Sequence, residues 1–578
     1  MKICFIWAEK FRNFSNIGIN LSSNLKFNYD TIHNVLESET CVSLPQNFFG
    51  EGISEVTGII GKNGSGKSNA LELICKVLKG GKTDVGGDFL VLVEDNYELV
   101  CFHHFKNSNP PKVNNKIDIS FQEYPGKINP LKVVFFSNVF DDRRNGFNSD
   151  VADISVNNQY ARKFYLSRRG KISDFQKQIK FINSKQFRTL DIEYPDKILV
   201  SLKLWTQKFS IAGQQSHYKE NSKKVNEIRS FFRIRLKELI DHNKFIQAIK
   251  YGFFLDIYDK IIRDYGGKGE FLNDLIEDFQ QFIERLSINK YTDEITDELI
   301  FFIEERIRYL ENQNKYDLFG FYRDDEIVNS QNSKKPLIIE QLEFIKNIKN
   351  LFSNLIIKDT KETSRNRISE SFIIDYSDRE SIEIINEFMR LFESCNYVDV
   401  NWLGISSGQK AYLNLFSSIY DEIRLLRTQN LLLCIDEGDL YLHPKWQIEF
   451  FNKLVTILPK IYSGSIQLIL TSHSPFLLSD LPKQNITILD EGLPNSSIDG
   501  VFLKTNTFGG NLYDLYSGPF FLENKRTSDF AYNKIKELIE KVEEQQYSIQ
   551  DKVELIKLSN ILGDEIIQHR INKLLKND

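Results

Sequence analysis

No apolar run in the 578-residue chain reaches the roughly 18 to 20 residues that crossing a bilayer requires. Its start also lacks the charged, apolar, small-residue order of a leader. A cytoplasmic protein without a membrane partner is expected. Cysteine is sparse: Cys4, Cys41, Cys75, Cys101, Cys395 and Cys434 lie scattered, with no Cys-x-x-Cys pair and no histidine at ligand spacing. That pattern excludes a locally spaced zinc site and favours reduced, buried thiols over disulfides. An excess of positive charge is missing too, since the net charge of −5 excludes a globally basic nucleic-acid coat and leaves room only for a local basic face. Sustained heptads are absent, which excludes a long coiled-coil arm. A chain of this length exceeds one compact core, so roughly two to four domains are expected.

What the chain does carry is Gly-Lys-Asn-Gly-Ser-Gly-Lys-Ser, Gly61 to Ser68, after the apolar Val56, Ile59 and Ile60. Glycines let the backbone pass close to a polyphosphate, so that successive amides and the next helix's N-terminus point at the anion. Lys62, Asn63, Gly64, Ser65 and Gly66 form the cradle, and Asn69 follows it. Lys67 supplies a charge for the β and γ phosphates, and the Ser68 hydroxyl suits Mg2+. Ala70, Leu71, Ile74, Val77 and Leu78 then recur at helical spacing.

Strand-like runs precede the loop at Ile3 to Trp7 and Leu25 to Tyr29, and Trp7 and Phe11 are candidates either for stacking on adenine or for plain core packing. Phe89 to Val93 and Leu99 to Phe102 flank Asp95-Asn96 as a hairpin would, and a strand follows at Val133 to Phe136. From about residue 155 to 395 the pattern turns helical, with apolar stripes from Phe271 to Leu286 and from Ile295 to Leu310. Residues 160 to 188 interleave Arg162, Lys163, Arg168, Arg169, Lys171, Lys177, Lys180, Lys185 and Arg188 with Tyr160, Phe164, Tyr165, Phe175 and Phe181. Such a segment fits nucleic acid, a solvated basic face or a dock for an acidic partner.

Strand and helix alternate again from about residue 396. Ser406-Ser407-Gly408-Gln409 leads into a helix-like run, with Ser407 suited to an N-cap and the amides after it to an anion. Leu431 to Ile435 is wholly apolar, as a central parallel strand should be, and ends in Asp436-Glu437. Carboxylates at that place are costly unless they face a metal or a reacting water. Ile466 to Leu470 forms a further strand delivering Thr471-Ser472-His473.

These four motifs, in this order, resemble the nucleotide-binding core of ABC-type ATPases. The resemblance implies an α/β fold: a P-loop ATPase core with a central mixed or parallel sheet, interrupted by a large helical insertion and followed by a helical C-terminal tail. The corresponding divisions are 1–155 and 396–505 for the two ATPase lobes, 156–395 for the insertion and 506–578 for the tail. It makes Gly61 to Ser68 the Walker A motif, Ser406 to Gln409 the signature, Asp436 the Walker B aspartate that orients Mg2+, Glu437 the group that activates water, and His473 the sensor of the γ phosphate. It also implies two ATP molecules sandwiched in a head-to-tail homodimer, the signature serving the other subunit's nucleotide.

Asn63-Gly64, Phe11-Arg12-Asn13 and Asp436 to Pro444 are similar to the soluble recombination, repair and phage-defence branch, and not to transporters. Two departures stand out: Ser137-Asn138 replaces an expected glutamine, which puts the coupling of metal to the helical domain in doubt, and Gly438 stands where proline is common. Ile6-Trp7 to Asn13, Leu21 to Ser23, Phe27 to Asp30, Thr507 to Leu515 and Phe520 to Leu522 resemble the ATPases of Septu and retron-associated defence systems. That family implies a sensor or regulator assembled with a separate HNH nuclease, with phage or retron nucleic acid as a further partner. Only about 105 residues follow His473, too few for ATPase completion plus a Toprim nuclease, and no HNH-like histidine pattern occurs; Asp490-Glu491 reads as a loop rather than a metal site. Two other readings compete: a repair ATPase of the RecF or SMC kind that clamps DNA, and a scaffold that holds ATP with little turnover. The helical tail from Ala531 fits either a partner dock or a self-packing cap.

Overall fold

A computed structural model describes residues 1–105, 110–114, 117–141, 145–158, 174–192, 195–204, 229–265, 300–305, 337–360, 369–376, 379–392, 397–489, 497–503, 506–517, 528–544 and 548–577, with isolated positions between 277 and 308 and at 395. The stripes expected at 271–286 and 295–310, residues 160–173 of the basic segment and Asp490-Glu491 fall largely or wholly outside these.

The centre is a seven-stranded sheet in the order Val151–Asp153, Leu131–Ser137, Asn430–Asp436, Ser465–Thr471, Ile53–Gly61, Ile486–Leu489 and Ser497–Asp499. Every neighbouring pair is parallel except the last. Buried on both faces, the central strand Asn430–Asp436 divides its side chains by alternation. Leu432 and Cys434 face the helix Lys67–Lys79, while Leu431, Leu433 and Ile435 join the core on the opposite face. That second core is completed by the helices Ser407–Ile423, Pro444–Ile461 and Asp174–Ile182. A five-stranded sheet, which contains Lys2–Phe11 and the hairpin Phe89–Asp95 with Glu98–His104, packs on the other side of Lys67–Lys79.

Register positions the site. Ser137 pairs with Asp436, and Asp436 with Thr471, so three adjacent strands end level at their carboxyl ends. Gly61, where the phosphate loop begins, lies beyond Ile59, the residue paired with Thr471. This is the edge at which open parallel sheets bind ligands.

The stretch expected to be helical is not wholly so. Alongside the helices Asp241–Tyr265, Leu337–Leu351 and Arg379–Phe392 it carries strands Lys197–Leu202, Ile357–Asp359 and Glu370–Asp375, which form an antiparallel sheet with Val398–Leu403. These strands run three to six residues, too short to register against the long helical stripes around them. Within the tail, after the short helix Leu512–Ser517, the described residues form the helices Asp529–Glu543, Ile549–Asn560 and Glu565–Asn577 around a small core of Leu538, Val542, Leu555, Ile571 and Leu575. It is a self-packed unit. No helix among the described residues is long and apolar enough to cross a membrane.

Candidate functional site

The phosphate loop turns on two left-handed glycines, Gly64 at φ +86° and Gly66 at φ +93°. A side chain at Gly61 would collide with Ser65 Oγ and the Leu489 carbonyl. Gly66 is the N-cap of Lys67–Lys79 and has no side chain to accept from the first-turn amides; the first turn holds no acidic residue either. The positive end of the helix is therefore open to an anion. Ser65 Oγ is buried without a hydrogen-bond partner, an orphaned donor inside the cradle. Lys67 is 5% exposed and donates to the carbonyls of Gly61 at 3.1 Å and Lys62 at 3.2 Å. Burial pushes its pKa down, against the opposing pull of Glu437 and Asp436. A polyphosphate fits this set of groups. Asn69 faces another way, donating to Asn13 Oδ1 at 2.6 Å.

Asp436, 2% exposed, accepts three neutral hydroxyls. Thr471 Oγ1 donates to its Oδ1 at 2.7 Å, Ser137 Oγ to its Oδ2 at 3.0 Å, and Ser68 Oγ lies 3.1 and 2.9 Å from the two oxygens. Burial raises its pKa, and hydrogen bonds from Thr471, Ser68 and Ser137 work against that rise. Among the described residues no three His, Cys, Asp or Glu side chains cluster as metal ligands. A cation here would rest on one carboxylate and hydroxyl oxygens, a hard donor set that suits Mg2+.

Glu437 follows in a left-handed conformation, φ +49°, with its amide donating to Thr471 Oγ1 at 3.1 Å. Its Oε1 lies 2.9 Å from His473 Nε2, and His473 Nδ1 lies 3.3 Å from Lys67 Nζ. The structure thus brings Lys67, Ser68, Asp436, Glu437 and His473 into one connected group. Sequence reasoning passed over Ser137, Thr471, Asp439 and Ser472 as site residues; the Ser472 hydroxyl donates to Asp439 Oδ2 at 2.6 Å and ties the loop after Asp436 to the loop carrying His473. For Ser137 and Thr471 the signal is strand register, which sets both beside Asp436.

Signature residues stand apart from this group. Ser406, not Ser407, is the N-cap: Ser406 Oγ accepts from the Gln409 amide at 3.2 Å, and Gln409 Oε1 accepts from the Ser406 amide at 2.6 Å. The preceding Gly404, at φ +80°, turns the chain out of Val398–Leu403 one residue earlier than the sequence suggested. Ser406 and Ser407 are exposed, while Gly408 packs under Trp446, whose ring would lie 3.0 Å from an added Cβ. Hydrogen bonds of Ser406 and Gln409 run to each other, and none described joins them to the phosphate loop of the same chain.

Trp7 and Phe11 are core residues and not adenine stackers. Trp7, 4% exposed, meets Tyr29 edge-on at 4.7 Å, and Phe11 packs with the strands and helix behind the loop. In the described part of the basic segment, Phe175 stacks on Trp402 at 4.6 Å and Phe181 lies against Tyr420, so these rings are occupied by the core. Lys177 and Lys180 pair with Asp174 and Asp421.

Comparison with known proteins agrees with the geometry. A family model for an AAA ATPase domain matches residues 1–478. The Retron Vc95 probable ATPase of Vibrio cholerae serotype O1 biovar El Tor is 27% identical over 211 residues, 31% of this chain and 39% of that protein. The Retron Ec83 probable ATPase of Escherichia coli is 33% identical over 113 residues, 18% of this chain and 20% of that protein. The matched segments span less than half the length of either relative. With the family model covering most of its length, the chain belongs to the AAA ATPase domain family.

Proposed function

We propose that the chain binds and hydrolyses ATP with Mg2+ as the regulatory subunit of a cytoplasmic antiphage defence complex of the retron or Septu kind, controlling a separate HNH nuclease. The observation that carries the ATPase part is the level row Ser137, Asp436 and Thr471, with Lys67, His473 and Glu437 in contact with one another beside it. Mg2+, when bound, would offset phosphate charge and align the nucleotide. Asp436 and Ser68 would hold it. Lys67, released from its two carbonyls, would bind the β and γ oxygens, and the loop amides with Ser65 Oγ would complete the cradle. Glu437 would accept the proton of the attacking water.

The exposed Ser406 and Ser407, unengaged by their own chain's loop, support a second copy as the completing partner, in a head-to-tail dimer. Likeness to two retron probable ATPases supports the defence role. DNA cutting would then belong to the partner, with nucleic acid met through residues 160–188 or within the assembly. Purification from the native operon followed by mass spectrometry tests this reading. A co-purifying small nuclease supports it, and an ATPase recovered alone contradicts it.

A further inference from the structure

Asp436 presents an electrostatic puzzle. A carboxylate only 2% exposed is costly unless a cation balances it, yet among the described residues its partners are three neutral hydroxyls and no ion pair. Of these, Ser68 and Ser137 both donate to Oδ2, at 2.9 and 3.0 Å. A hydroxyl that gives its proton to a carboxylate keeps two lone pairs. Ser137 Oγ uses one of them on the Val139 amide, at a long 3.3 Å, and among the described residues the other has no donor. Thr471 is bound more tightly, to Oδ1 at 2.7 Å, and it also carries the Glu437 amide. Asn138 holds Ser137 firmly in place: its amide donates to the Asp436 carbonyl at 3.2 Å, and its Nδ2 donates to the Leu440 carbonyl at 3.0 Å.

We propose that Ser137 is a cation-binding residue, its hydroxyl joining Ser68 and Asp436 around the Mg2+ that accompanies the nucleotide. This restores by a hydroxyl the contact that the missing glutamine put in doubt. Because the same segment runs on through Val151–Asp153 towards residues 156–158, it links the cation to the start of the insertion without a glutamine.

The inference rests on the ATPase reading, and its test separates the two. Affinity for a fluorescent non-hydrolysable ATP analogue is measured against Mg2+ or Cd2+ concentration, in the full chain. Ser137→Ala is expected to raise the Mg2+ needed for half-maximal tight binding about tenfold. Ser137→Cys is expected to show the same defect with Mg2+ and to recover with Cd2+, since a thiolate prefers the softer ion. The Cd2+ recovery also shows that the cysteine variant is folded. Unchanged Mg2+ dependence in Ser137→Ala, or Ser137→Cys without a gain from Cd2+, overturns the proposal while leaving the ATPase reading intact. Wild-type protein that binds no analogue with either ion, or Lys67→Ala that binds as well as wild type, overturns both.

Discussion

Lys67, His473 and Glu437 form a chain of contacts, 3.3 Å from ammonium to imidazole and 2.9 Å from imidazole to carboxylate. Breaking it at different points should have different effects. Lys67→Ala removes a charge that binds the ground state and is expected to abolish tight nucleotide binding, as read by calorimetry. Glu437→Gln keeps the shape of the site and removes the base, so binding should survive while turnover falls roughly 10²- to 10⁴-fold. A scaffold that merely holds ATP would show no effect of Glu437→Gln. Asp480, at the end of the short helix Pro475–Asp480, makes a separate prediction. Burial raises its pKa from 3.8 to about 6. Folding therefore favours the protonated acid: no penalty exists below about pH 4, it grows as pH rises through 6, and it is complete above that. Asp480→Asn should raise thermal stability at pH 7.5 by about 1 kcal/mol, allowing for its partial exposure, and leave it unchanged at pH 4.

At the scale of elements, stability and site geometry share the strand Asn430–Asp436. Leu433 is fully buried in it, so Leu433→Ala should cost about 2 to 5 kcal/mol in denaturant unfolding. Ser406→Ala removes the capping box and should cost about 1 kcal/mol, seen as faster amide exchange over 407–412 with nucleotide affinity of the isolated chain unchanged. Strands of this core were legible in the sequence because they are short, apolar and followed by chemistry-bearing residues; Leu431 to Ile435 and Ile466 to Leu470 each fall within an observed strand. Register was not legible. Nothing in the letters Ser137 or Thr471 tells that both lie level with Asp436, because that depends on pairing between segments some 300 and 35 residues apart. The N-cap was misplaced by one residue because Ser406 and Ser407 are chemically alike and only Gln409's reach back distinguishes them. Trp7 and Phe11 left stacking on a ligand open by residue type alone, with core packing the preferred reading, and both are buried in the core, Trp7 beside Phe27 and Leu36 and Phe11 among the residues packed on Lys67–Lys79.

For the whole molecule, the separation of the signature from the phosphate loop matters most. One chain brings together the loop Gly61 to Ser68, Asp436, Glu437 and His473, and displays on its surface a helix start whose outer serines face solvent. The tail adds a small independent core with Ile561 and Ile566 exposed at 78% and 82%, so truncation before Asp529 should leave the thermal transition of the ATPase core in place. The central claim is that an active site forms only between two copies, and mixing tests it most directly. Lys67→Ala chains lack a working loop, and Ser407→Arg chains lack a working signature; each alone should hydrolyse no ATP. Combined in equal amounts, they should regain about a quarter of wild-type turnover, because half of the dimers are mixed and each mixed dimer has one intact site of two. A mixture that forms dimers and stays silent would contradict the account.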